Sequence, residues 1–107
     1  MSVHDFLFTY SVSSIGHDDA KAKAVRDKIA EISIEAWEKL VNVETTFVGK
    51  IKLSAIGEYH QREEAEGIIK HVLEGIVKQL DNSRHRQTEI NVALMVEGLG
   101  AAMEFEV

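Results

Sequence analysis

Between residues 61 and 80 the apolar positions are Ala65, Ile68, Ile69, Val72, Leu73, Ile76, Val77 and Leu80. Steps of three and one alternate, which draws one broad stripe down an α-helix and fits no strand. Arg62, Glu63, Glu64, Glu66, Lys70, Glu74 and Lys78 take the other side. Glu66 stands four residues before Lys70, and Glu74 four before Lys78, the favourable orientation for helical ion pairs. At about 1.5 Å per residue the helix is about 30 Å long. A stripe of that length needs a sheet or several helices to cover it.

Other stretches follow a period of two. Phe6, Phe8, Tyr10 and Val12 alternate with Leu7, Thr9 and Ser11, so one face of a strand over 6–12 is buried. Ile90, Val92, Leu94 and Val96 alternate with Asn91, Ala93, Met95 and Glu97 in a second strand. Met103, Phe105 and Val107 alternate with Ala102, Glu104 and Glu106 in a short last one, after a turn at Gly98-Leu99-Gly100. A first helix starts at Asp18 or Asp19 and runs to about Ile32, with Ala24, Val25, Ile29 and Ile32 inward. Trp37, Leu40, Val41, Val43, Phe47 and Val48, with Thr45 and Thr46, predict two strands over about 36–41 and 43–50, joined near Asn42. Residues 51–60 read as a loop, and Asp81-Asn82-Ser83 ends the long helix.

The order is strand, helix, strand, strand, helix, strand, with one strand more at the end. This predicts an α+β, ferredoxin-like domain over residues 1–107, an antiparallel β-α-β-β-α-β sheet with two helices on one face and an extra C-terminal strand. The helix stripe would meet Phe6, Phe8, Tyr10, Val92 and Leu94. The opposite face would carry Leu7, Thr9, Ala93 and Met95, together with Glu44, Thr46 and Val48. That face is too apolar for free solvation and too polar for a core, so a homodimer is expected to cover it, with Met103 and Phe105 of the last strand joining the dimer face.

Composition narrows the function. The chain has 107 residues, 45% of them hydrophobic, and no cysteine, so thiolate chemistry and disulfides are excluded. The net charge of −6 lowers the expectation of nucleic-acid binding, which rests on Lys and Arg neutralising phosphates. No apolar run of about 18 residues spans a membrane. Met1-Ser2-Val3-His4-Asp5 lacks the features of a signal peptide, which makes the cytoplasm the expected location.

Candidate chemistry is sparse. Asp5, Asp18 and Asp19, with His4 and His17 beside them, offer metal donors, but adjacent residues point apart, and helix capping explains Asp18 and Asp19. Arg84, His85 and Arg86 form the one dense basic spot outside a helix, an anion-binding candidate that also reads as a solvated turn at the negative end of the long helix. Ser11, Ser13 and Ser14 near His17 lack a third group to orient a base. Gly98-Leu99-Gly100 leads into no helix, so it is no phosphate-binding loop. Trp37 reads as core or dimer-interface packing.

Three stretches carry a family resemblance. Residues 6–12 (Phe-Leu-Phe-Thr-Tyr-Ser-Val) resemble the first strand of the small CRISPR-associated adaptation proteins and their relatives, including virulence-associated protein D. Residues 37–51 look like the Trp-then-hairpin segment of short members of that superfamily. Residues 92–100 (Val-Ala-Leu-Met-Val-Glu-Gly-Leu-Gly) are similar to its final aliphatic strand and Gly-rich turn. The resemblance implies a ferredoxin-like dimer, and in some relatives a metal-dependent nuclease whose strand-end Asp holds a divalent ion. Here Ser11 stands at that position, and a neutral hydroxyl is a poor Mg²⁺ ligand beside a carboxylate.

The expected function is therefore a small non-catalytic interaction protein, a homodimer that also offers a surface to a protein partner and needs no cofactor. The alternative is a nuclease using Asp5, Asp18 or Asp19 with Mg²⁺ or Mn²⁺, which requires those carboxylates to converge. A second alternative, on fold analogy alone, is a small-molecule binder on the open sheet face.

Overall fold

The aromatic alternation that opens the chain continues in both directions, and strand β1 covers Ser2–Ser14. It forms the middle of a five-stranded sheet in the computed structural model, which describes residues 1–16, 19–81 and 86–107. Helix α1 is Asp19–Ala30, β2 Trp37–Lys39, β3 Thr46–Leu53, α2 Glu58–Leu80, β4 Thr88–Val96 and β5 Met103–Glu106. The strand order is β2-β3-β1-β4-β5, and every neighbouring pair is antiparallel. No described helix is long and apolar enough to cross a membrane.

Pleat parity decides what is buried. Phe6, Phe8, Tyr10 and Val12 pair with Val96, Leu94, Val92 and Ile90 of β4, so all eight side chains share one face. Ala22, Val25 and Ile29 of α1 and Ala65, Ile69, Leu73, Ile76 and Val77 of α2 join them in one continuous core. The long stripe therefore lies where the spacing predicts. On α1 the inward alanine is Ala22, whereas Ala24 is exposed. Ala22, Val25 and Ile29 step by three and four, which keeps them on one side of the helix.

The middle of the chain departs from expectation. β2 is three residues long, and β3 begins three residues later than predicted and runs on to Leu53. The hairpin turn occupies residues 40–45, where Leu40 N–H donates to Thr46 O at 2.9 Å and Thr46 N–H to Val43 O at 3.2 Å. Val41 and Val43 thus stand exposed in a turn. Gly49 hid the continuation of β3, because it interrupts the inward series Phe47, Ile51, Leu53. It is glycine for a steric reason: a Cβ there would lie 2.0 Å from Ala36 O, to which Lys50 N–H donates. Trp37 crosses this close approach and meets Phe6 and Phe8 edge-on, with ring centroids 5.2 and 5.7 Å away.

Three polar clamps fix the ends. Asp81 ends α2, its N–H bonded to Val77 O at 2.7 Å. Its buried carboxylate accepts from Thr88 Oγ1 at 2.6 Å and from the N–H groups of Thr88 and Gln87 at 2.9 and 3.0 Å. Glu64 accepts from Ser54 N–H and Ala55 N–H and ties α2 to the end of β3. Arg62 donates to Leu99 O and Ala101 O and holds the β4–β5 turn, in which Gly98 and Gly100 take φ of +79°.

Candidate functional site: the uncovered face of the sheet

With the inner face filled, the alternate positions of each strand form an uncovered face. Registers set three cross-strand rows on it. Leu7 lies between Val48 of β3 and Met95 of β4, with Glu38 of β2 beyond Val48. Thr9 lies between Thr46 and Ala93, with Glu104 of β5 beyond Ala93. Asp5 lies beside Lys50 on one side, and its carbonyl accepts from Glu97 N–H at 2.8 Å on the other.

The centre of this face is apolar and open. Leu7 is 38% exposed and Met95 52%, although both sit on internal strands, the central β1 and its neighbour β4. Thr9 turns its hydroxyl to Thr45 O at 3.1 Å, which leaves its methyl group to the face. Two open grooves flank the Leu7–Met95 row. One of about 600 Å³ runs over β1, β4 and β5, lined by Thr9, Ser11, Asn91, Ala93, Glu104 and Glu106 among others. The other, of about 620 Å³, lies towards β2, among Asp5, Ala36, Trp37, Glu38, Val48 and Lys50.

Charge is divided across the strands. Lys50 and Lys52 stand on β3 beside Asp5 of β1 and Glu38 of β2, while β4 and β5 carry Glu89, Glu104 and Glu106, with Glu97 just past the end of β4, and no lysine or arginine. Lys50 Nζ donates to Asp5 Oδ1 at 2.6 Å, and that hydrogen bond, with the carboxylate's charge, raises the ammonium's pKa above its ordinary value.

Not every residue expected on the dimer face is there. Leu7, Thr9, Ala93 and Met95 share it, joined by Thr46 and Val48, while Glu44 lies before β3 in the hairpin turn. Met103 and Phe105 do not. They pair with Leu94 and Val92, which puts them on the helix-covered side, half-buried against the core. The turn from Glu97 to Ala102 sets that parity, and alternation within β5 cannot say which of its faces is inward.

The metal candidates do not converge. Asp5 is bound to Lys50 on the uncovered face, and Asp19 opens α1 beyond the far end of β1. The nine residue steps from Asp5 to Ser14 represent about 30 Å of strand. Asp18 and His17 lie outside the described residues, as do Arg84 and His85 of the basic spot. Arg86 Nη2 donates to Val107 O, so this guanidinium faces the chain's own last segment. Ser14 Oγ donates to Gly16 O at 2.9 Å. Among the described residues no group of three or more His, Asp or Glu side chains is placed to hold a metal ion. Lys50, Glu97, Glu104 and Glu106 were missed as face residues; a pairing register, rather than residue type, was the signal needed.

No family model matches the chain, and neither a curated protein nor a solved structure matches it.

Proposed function

We propose that the protein is a non-catalytic interaction protein that works as a homodimer through the uncovered face of its sheet. One observation carries the reading: the internal strands β1 and β4 leave Leu7 and Met95 open to water at the centre of that face. Scattered surface apolar residues need no explanation, but a row of them across β3, β1 and β4, Val48–Leu7–Met95, is what a covering layer would bury. The face is at the small end of the range for an interface. Five strands at about 4.8 Å spacing and nine residues at about 3.3 Å span at most about 700 Å². A standard interface takes about 800 Å² from each partner.

The topology is read as ferredoxin-like with one strand added. β3 lies between β1 and β2, and β1 lies between β3 and β4, so each β-α-β unit is split by a strand of the other. β5 then extends the sheet beyond β4. The likeness to the CRISPR-adaptation and virulence-associated protein D superfamily is kept as a proposal about scaffold. Ser11 at the position matched to that superfamily's metal-binding Asp, inside β1 here, and the pairing of Asp5 with Lys50 argue against carrying the nuclease chemistry over.

Sedimentation equilibrium over a dilution series tests the reading. The wild type is expected to pass from dimer to monomer in the micromolar range. Met95→Glu is expected to weaken association at least about tenfold, because a carboxylate would be buried without a partner, while circular dichroism stays unchanged. A wild type that is monomeric at every concentration overturns it.

A further inference from the structure

The open face carries one apolar side chain whose chemistry can change after the chain has folded. Met95 stands there 52% exposed. Leu7 is its partner across the β1–β4 pairing, and Ala93 and Glu97 are its alternate neighbours along the chain. β5 pairs with β4 only from Asn91 to Leu94, so its last rung stops one residue short of Met95. The thioether thus lies beside Leu7 and Ala93 on a side chain that is half in water. The chain holds no cysteine, so its three methionines are the first targets of an oxidant. Of the other two, Met103 is half-buried on the helix-covered side, and Met1 lies at the first residue.

Resting on the homodimer reading above, we infer that Met95 is an oxidation site that controls the dimer: hydrogen peroxide converts its thioether to a sulfoxide and so releases the two copies. In that step the sulfur lone pair attacks one peroxide oxygen, and the O–O bond breaks as the S–O bond forms. The proton on the transferred oxygen passes to the other oxygen, which departs as water. The sulfur loses two electrons and the peroxide gains them. The product replaces an apolar group with a polar acceptor oxygen. Water solvates that oxygen in the free chain. Under a second copy it needs a donor, and the side chains of its own row, Val48–Leu7–Met95, offer none. The coupling also runs the other way. A copy seated on the face shields the thioether, so association and oxidation oppose each other.

Peroxide treatment of the wild type below and above its dissociation constant tests the inference. Peptide mass spectrometry is expected to show Met95 gaining oxygen at least about tenfold faster in the dilute sample. Sedimentation of the oxidised protein is expected to show dimerisation weakened at least about tenfold, and reduction by methionine sulfoxide reductases to restore it. Met103→Leu should lose its dimer to peroxide as the wild type does. Met95→Leu is compared only with itself, and its dissociation constant should move less than about threefold on the same treatment. A wild type that never dimerises overturns the homodimer reading and this inference together. A wild-type dimer that withstands complete conversion of Met95 overturns the oxidation site and leaves the homodimer reading standing. So does a Met95→Leu dimer that peroxide weakens as much as the wild type's.

Discussion

Asp81 shows how a single carboxylate closes a fold. It ends the 23-residue α2 and receives β4, whose first residue, Thr88, gives it both a hydroxyl and an amide hydrogen. Burial pushes its carboxyl pKa up, but the bonds from Thr88 and Gln87 and the nearby Lys21 charge outweigh burial and hold it below the ordinary 3.8. The folded pKa is thus depressed relative to the unfolded chain. Its contribution is complete above the unfolded value and is lost as pH falls through the folded one. Asp81→Ala is expected to cost about 2 kcal/mol in urea unfolding at pH 7 and to flatten the loss of stability below about pH 4. An Asp81→Ala protein as stable as the wild type would show that the clamp is ornamental. In the sequence this position shows only as the place where a helix stops, because donors from seven residues further on have no sequence signature.

At the level of elements, legibility followed length and periodicity. The α2 stripe and the inward series of β1 and β4 were readable because many equivalent positions repeat one message. The β2–β3 region was not, because Gly49 breaks the apolar alternation and Val41 and Val43 imitate it inside a turn. β5 was readable as a strand but not as to side: Met103 and Phe105 look alike from either face until the register with β4 is known. That assignment has a direct consequence. Phe105→Ala should destabilise by about 2 kcal/mol, as a half-buried core contact, whereas Glu104→Ala next to it should change stability by less than about 0.5 kcal/mol. Thermal unfolding of the two variants decides it, and a reversed order would put Phe105 on the uncovered side.

For the whole molecule, the net charge is −6, and Glu89, Glu104 and Glu106 of β4 and β5 stand on the same face as the open Leu7–Met95 row. The site is thus a property of the assembled sheet. Residue types alone pointed to Leu7, Thr9, Ala93 and Met95, which alternate against strongly apolar neighbours, but the row Lys50–Asp5–Glu97 exists only once the strands are aligned. The same alignment separates Asp5 from Asp19, which a list of acidic residues could not do.

The three methionines make the central claim directly measurable. Met95 projects from the uncovered face, Met103 from the helix-covered side, and Met1 is 91% exposed at the first residue. Methyl NMR of methionine-labelled protein, recorded over a dilution series from about 1 mM to about 10 μM, reports on each separately. A dimer formed through the uncovered face shifts the Met95 methyl signal with concentration and leaves that of Met103 in place. A Met95 signal that is unmoved throughout, or a Met103 signal that moves in its stead, would contradict it.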